Sequence, residues 1–334
     1  MDHRTIVKLG RTGLSVTALG FGATAIGGMY EEVGDSQAHD AVDAAWNQGI
    51  RLFDAAPQYG LGLGEMRLGT GLAGRPRDQY VLSTKVGRLL RADAPPNPDD
   101  FGPDGLPFDK GTPAVSTVYD YSRDGVLASI EESLTRLGKD RLDIVYVHDP
   151  DRYVAEALAG AFPALIELRE QGVITAIGAG MNQTAALETF ARETDPDLFL
   201  LAGRYTLLEQ EALGTFLPLC EERGIAVLAG GAYNSGLLAD PNPGTHYEYL
   251  PAPPSLIDRA QRLAAVCARY GVPLKAAAIQ FPIAHPAVAV VLTGARRAAE
   301  VDENCALFDQ PVPPDLWREL KRSGLLDERA PVPA

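Results

Sequence analysis

The sequence predicts an α/β protein built as one (β/α)8 barrel, with an N-terminal β-hairpin and long βα loops over its C-terminal face. Three observations carry that prediction. Eight short apolar runs alternate along the chain with patterns of helical period. The runs are apolar almost throughout, as expected of parallel strands covered on both faces. A length of 334 residues is ordinary for a single barrel, which leads to one domain over 1–334. A doubly wound sheet is the competing architecture, yet no strand is followed by a Gly-x-Gly-x-x-Gly turn, and Gly20-Phe21-Gly22 lacks the third glycine.

Taken in order, Ile6 to Leu9 and Leu14 to Val16 read as a hairpin, split by Gly10-Arg11-Thr12-Gly13. Strands are expected near 17–22, 50–54, 80–85, 142–148, 174–179, 197–202, 225–230 and 288–293. Helices are expected near 36–48, 64–73, 123–137, 154–171, 183–193, 208–223 and 256–270, with more in the last third. Asp35 or Ser36 is expected to cap the first helix and Gly49 to end it, as Gly172 and Gly224 end later ones. Residues 90–121 break the rhythm. Pro95, Pro96, Pro98, Pro103, Pro107 and Pro113 exclude a helix and predict a long loop bordering the substrate pocket. A second proline-rich segment, Asp240 to Pro254, carries Tyr247 and Tyr249 and is expected to form another wall.

Composition narrows the partners. With 30 basic and 44 acidic side chains the formal net charge is -14, which argues against nucleic acid and anionic membrane surfaces. No apolar run approaches the ~20 residues needed to span a bilayer, and no signal peptide is visible. Cys220, Cys267 and Cys305 are far apart, odd in number and without metal-ligand spacing, so they read as reduced, buried thiols of a cytoplasmic protein. The five histidines are equally scattered, and no metal site is expected. A Gly-x-Ser-x-Gly elbow for serine hydrolysis is missing too.

The chemistry concentrates at strand ends. Ile50 to Phe53 stop at Asp54, and Tyr59 follows past Pro57; Tyr80 to Thr84 run into Lys85, and Leu142 to Val147 into His148. Barrel enzymes place their sites at the C-terminal ends of strands. Singly, each residue has a structural explanation: a turn-capping aspartate, a half-buried tyrosine, a solvated lysine, a core histidine. Together they form a proton-transfer set. A tyrosine titrating near pH ~10 needs a neighbouring cation to work nearer neutrality. Lys85 can supply the charge, Asp54 can hold the lysine, and His148 can orient a substrate oxygen.

In order and placement, Asp54, Tyr59, Lys85 and His148 resemble the catalytic tetrad of the aldo-keto reductases. Lys8-Leu9-Gly10-Arg11-Thr12-Gly13-Leu14, Leu19-Gly20-Phe21-Gly22, Gly294-Ala295-Arg296 and Glu303-Asn304 resemble the same family, so the likeness spans nearly the whole chain. Val147-His148-Asp149-Pro150-Asp151, Leu200 to Tyr205 and Tyr233-Asn234-Ser235-Gly236 are most similar to its aldose 1-dehydrogenase branch, which includes L-fucose (D-threo-aldose) and pyridoxal 4-dehydrogenases. The resemblance implies hydride transfer between substrate carbon and nicotinamide, with Tyr59 as acid-base.

The same resemblance implies the cofactor contacts. Asn182 matches the carboxamide-binding asparagine, although Met181 stands where a serine is usual. Ala202 replaces the partner glutamine, and Gly230 or Gly231 replaces the stacking aromatic. Ser235, Gly236 and Leu237 are expected to bring backbone N–H groups to the pyrophosphate. Gly294, Arg296, Glu300, Glu303 and Asn304 fall where the family holds adenosine. Glu300 stands near the position of a phosphate-pairing arginine, which leads to NAD rather than NADP as preferred cofactor. The expected reaction is oxidation of a free aldose at its anomeric carbon to the lactone. Alternatives are pyridoxal oxidation, general carbonyl reduction, or a regulatory subunit that binds nicotinamide nucleotide with little turnover. Tyr119, Asp120 and Tyr121 suit either a sugar or a flat ring.

Overall fold

Two short strands begin the chain in the computed structural model, which describes residues 1–102, 105–248 and 250–333. β1 (Ile6–Lys8) and β2 (Ser15–Thr17) pair antiparallel as the predicted hairpin. Leu9 and Val16 are fully buried in one cluster with Leu52, Val81, Ile144 and Leu198, so the hairpin plugs the barrel's N-terminal end. Gly10 lies close against the loop that enters the strand beginning at Ala226. It has φ +53°, and a Cβ there would stand 2.9 Å from the Gly224 carbonyl oxygen.

Then follow β3 (Leu19–Gly22), α1 (Asp35–Asn47), β4 (Leu52–Asp54), α2 (Leu63–Gly71) and β5 (Val81–Val86). A ribbon of β6 (Arg88–Arg91) and β7 (Ser116–Tyr119) precedes α3 (Arg123–Leu137) and β8 (Ile144–His148). α4 (Val154–Glu156) and α5 (Phe162–Glu170), joined by a π-helical turn, lead to β9 (Ala176–Met181), α6 (Thr184–Glu193) and β10 (Leu198–Ala202). α7 (Phe216–Arg223) and β11 (Ala226–Gly230) are followed by the ribbon β12 (His246–Tyr247) and β13 (Leu250–Pro251). α8 (Pro254–Arg269), α9 (Leu274–Gln280), β14 (Val288–Gly294), α10 (Ala298–Asp309) and α11 (Pro314–Arg322) complete the chain. All eight predicted strands form. They close a parallel barrel in the order β3, β4, β5, β8, β9, β10, β11, β14 and back to β3.

Side-chain alternation decides which residues reach the barrel interior. In β8, Ile144 and Tyr146 belong to the inner cluster, whereas Val145 and Val147 face the helices. Period two therefore turns His148 inward. The same count from Leu52 and Val81 turns Asp54, Ser83 and Lys85 inward. Each large apolar side chain in the two clusters contributes about 1.5–3 kcal/mol by leaving water. That packing holds these four polar residues at one end of a dry core.

Local corrections have local causes. Gly34, not Asp35 or Ser36, caps α1; the Asp35 carboxylate instead accepts from Arg67 Nε at 2.9 Å, tying α1 to α2. The helix expected over 208–223 begins only at Phe216. Thr206 accepts from the Leu208 and Glu209 amides, and the Gln210 side chain donates to the Thr206 carbonyl, so a turn competes there. The 90–121 loop is anchored by an antiparallel ribbon, because 88–91 and 116–119 lack the prolines that fill its tip. Pro103, within that tip, lies outside the described residues. Among the described residues, no helix is long and apolar enough to cross a membrane. The three cysteines are buried and unpaired, and burial pushes each thiol up to about 12.

Candidate active site

Three of the predicted tetrad meet at the C-terminal mouth in one close polar group. Lys85 is 1% exposed, its ammonium donates to Asp54 Oδ2 at 2.6 Å and to the Ala55 carbonyl at 2.9 Å, and it lies 4.6 Å from the centre of the Tyr59 ring. An ammonium has three N–H groups, so these two bonds leave the third for the side facing Tyr59. Asp54 is held in turn by Ser83, whose Oγ donates to Oδ1 at 2.7 Å. Register explains the contact, since Asp54 and Ser83 are partners across β4 and β5. His148 completes the four, with its ring edge-on to Tyr59 at 5.9 Å between centroids.

Tyr59 rides on a tight turn. Gly60 follows at φ +63°, where a Cβ would stand 2.2 Å from the Gly27 carbonyl oxygen, so glycine is required. The Gly60 amide donates to Asp109 Oδ2 at 3.0 Å, which pins the turn to the long loop. Burial raises the Asp109 carboxyl to about 6. Thr24 lines the cleft beside Tyr59 and helps to lower its pKa.

Titration directions follow from burial and these partners. Burial raises the Tyr59 pKa above that of an ordinary phenol, with the Lys85 charge as the largest opposing effect. For Lys85, burial pulls the pKa down, but Asp54 and then Tyr59 outweigh it and the net direction is up. Burial first, then the charges of Arg88 and Lys85, hold His148 well below the usual imidazole range. The group therefore presents a protonated phenol, a cationic lysine and a neutral imidazole. It can give or take a proton at Tyr59 Oη and donate one N–H from His148 to a nearby oxygen. The His148 Nδ1 atom is buried and has no hydrogen-bond partner among the described residues.

A cleft of about 520 Å³ opens above the group, lined at one end by Tyr59, Lys85 and His148 and elsewhere by most of the predicted cofactor residues. Asn182 lines it, and among the described residues its side-chain amide has no partner. Ala202, Gly230 and Gly231 form a wall of backbone beside it. Ser235 and Gly236 also line the cleft, in a left-handed run with φ +57° and +99°. Leu237 stands differently. Its side chain is fully buried, and its amide donates to the Asn234 carbonyl at 3.1 Å. At the far end Gly294, Arg296, Glu300, Glu303 and Asn304 all line the cleft.

Charges at that end are paired. Glu300 accepts from the Arg296 amide at 2.7 Å and from Arg297 Nε at 3.0 Å, closing the first turn of α10. Arg296 reaches Glu31 at 2.7 Å, and Lys275 reaches Glu303 at 2.6 Å. Tyr233 donates to Asn304 Oδ1 at 2.9 Å. Sequence reading missed Lys275, whose signal is that it is the sole charge in Leu274–Gln280, and it missed Thr24 and Ser83.

Two predicted substrate walls turn out otherwise. Tyr119 and Tyr121 stack with each other and with Tyr153, and they are not among the described residues lining the cleft. Tyr247 donates to Glu209 at 2.6 Å and lines a small side cavity with Arg204. Tyr249 lies outside the described residues.

A cleft of this size, with a free amide and glycine-rich backbone in its wall, fits a dinucleotide. Residues 18–324 match the model of the aldo/keto reductase family. The chain belongs to that family. Members use nicotinamide cofactors. Among curated relatives, it is 45% identical over 320 residues to a D-threo-aldose 1-dehydrogenase of Pseudomonas sp, covering 94% of this chain and 96% of that one. It is 42% identical over 339 residues to a pyridoxal 4-dehydrogenase of Microbacterium luteolum, covering 95% and 97%. Among solved structures, the aldo-keto reductase AKR11C1 from Bacillus halodurans superposes with a TM-score of 0.72 over 96% of each chain at 24% identity, which bears on the barrel fold alone.

Proposed function

We propose that this aldo/keto reductase is an NAD-preferring dehydrogenase that oxidises the anomeric hydroxyl of a free aldose to its lactone. The buried group of Lys85, bonded to Asp54 and set against the Tyr59 ring beside the cleft, carries the reading. In oxidation Tyr59 Oη takes the hydroxyl proton, and in reduction it returns it. Lys85 stabilises the phenolate, Asp54 fixes Lys85, and neutral His148 donates to the substrate oxygen as it becomes a carbonyl. A positioned acid-base of this kind is worth ~10²–10⁴-fold. The nicotinamide, when bound, supplies the hydride chemistry, with Asn182 holding its carboxamide.

Lining chemistry favours a sugar over pyridoxal. A flat ring wants a free aromatic face. Of the rings lining the cleft, Tyr59 and His148 belong to the proton-transfer group, Tyr30 stacks on His246 and Tyr233 has the Lys275 ammonium over its ring at 6.0 Å. The relatives' names support both substrates, so the assay decides. Initial rates with L-fucose, D-arabinose, L-galactose and pyridoxal, each with NAD and NADP, test the proposal directly. Turnover of a sugar with NAD supports it. Pyridoxal turnover alone keeps the mechanism and moves the substrate. Silence on all four with nucleotide bound points to a carbonyl reductase or a binding subunit.

The direction of the Tyr59 shift sets a pH dependence. Burial raises its pKa above about 10, so the phenolate needed for oxidation stays scarce near neutrality and grows as pH rises. The kcat/KM for oxidation is expected to climb with a slope near one from about pH 7 to about pH 10, while that for reduction stays level. A plateau in oxidation below about pH 8 would contradict the assignment of Tyr59 as base.

The NAD preference rests on the adenosine end, where Arg296, Arg297 and Lys275 are each already paired with a carboxylate. A 2′-phosphate placed there meets Glu300 and must compete for those cations. Glu300→Arg would add a cation but delete the acceptor that holds the Arg296 amide. Glu300→Gln keeps an acceptor and removes only the charge. It is expected to raise the NADP-to-NAD ratio of kcat/KM about tenfold; an unchanged ratio counts against the role of Glu300.

A further inference from the structure

Beside His148 lies an ion pair that the reaction above does not use. Asp149 follows His148 directly, with φ +40°, a left-handed conformation that aspartate tolerates better than most residues. Its backbone is fixed from two sides. The Asp149 amide donates to the Gly180 carbonyl at 3.0 Å, and the Tyr121 hydroxyl donates to the carbonyls of His148 at 2.7 Å and Asp149 at 3.2 Å. The side chain is fixed by Arg88, whose guanidinium donates to Oδ2 at 2.6 Å. That same oxygen is 3.6 Å from His148 Nε2, too far for a hydrogen bond.

Exposure picks out the carboxylate. The Asp149 side chain is 32% exposed, against 11% for Arg88 and 7% for His148, and Asp149 lines the cleft. A carboxylate accepts at several lone-pair positions, so one bond from Arg88 leaves capacity for another donor. A hydroxyl is such a donor. A substrate oxygen held by His148 places the hydroxyl of the adjacent carbon in the neighbourhood of Oδ2.

We propose that Asp149, aimed by Arg88, accepts a hydrogen bond from the hydroxyl on the carbon next to the reacting carbon, and so selects polyhydroxylated substrates over deoxy ones. The inference rests on the aldose reading above and deepens it. A site built to bond a hydroxyl discriminates strongly against the analogue that lacks it, because its own polar groups are then left unpaired.

The rival account makes the Arg88–Asp149 pair a brace that ties the β6–β7 ribbon to β8, with no say in substrate choice. The test compares kcat/KM for L-fucose with that for 2-deoxy-L-fucose in the full-length enzyme with NAD. Asp149→Gly removes the carboxylate and suits the left-handed backbone; Asp149→Asn keeps the shape without the charge. The fucose-to-deoxyfucose ratio is expected to fall about tenfold to a hundredfold in Asp149→Gly and less in Asp149→Asn. Partial misfolding cannot mimic this, since both sugars report on the same active fraction. A brace lowers both rates together, so an unchanged ratio in Asp149→Gly overturns the inference and leaves the aldose reading standing. A wild type that does not prefer fucose over its deoxy analogue does the same. A wild type inactive on both sugars overturns the aldose reading, and the inference falls with it.

Discussion

Tyr59→Phe is expected to lower kcat by about 10²–10⁴-fold while nicotinamide nucleotide binds as before. The substitution removes one oxygen and leaves the ring that packs edge-on against His148. Lys85 keeps Asp54 and the Ala55 carbonyl as acceptors, so no buried charge is stranded. Tyr59 also stands at the end of the cleft proposed to be catalytic, away from Glu303 and Asn304, which are proposed to hold the adenosine. The loss should therefore fall on kcat, with nucleotide affinity by fluorescence titration and thermal stability close to wild type. The residual rate should also lose its rise with pH. A variant that keeps more than about a tenth of wild-type kcat would remove Tyr59 from the chemistry.

Much of this site is legible in the sequence because strand geometry is local. An apolar run that ends on Asp54, Lys85 or His148 fixes both the element and, by period two, the face on which the polar residue emerges. The ribbon of β6 and β7 was hidden for a related reason. Its two strands flank a stretch dense in proline, so the composition of the tip masks the pairing at the base. Contacts across the fold leave no such trace. Thr24 on Tyr59, Arg88 on Asp149 and Lys275 on Glu303 join residues far apart in sequence, and nothing beside either partner announces the other. Glu300 shows the reverse failing: its partners are three and four residues away, yet reading it only as a cofactor residue concealed its part in closing α10.

Lys85→Met is expected to be as damaging to turnover as Tyr59→Phe and, unlike it, to unfold the protein more easily. Without the ammonium, burial raises the Tyr59 pKa unopposed by its strongest counter-charge, so the phenolate becomes scarcer still. At the same time Asp54, which is 0% exposed, keeps only the Ser83 hydroxyl as a partner. Removing one member of a buried ion pair typically costs about 3–5 kcal/mol. That cost should appear as a lower midpoint in urea with an unchanged slope. The double variant Lys85→Met, Asp54→Asn separates the two effects. Asparagine can still accept from Ser83 and carries no charge, so stability should return to within about 1–2 kcal/mol of wild type while turnover stays lost. Recovery of turnover in the double variant would mean that the lysine served only to neutralise Asp54. Continued loss, in a protein restored to stability, leaves the lysine acting on Tyr59 as the remaining explanation.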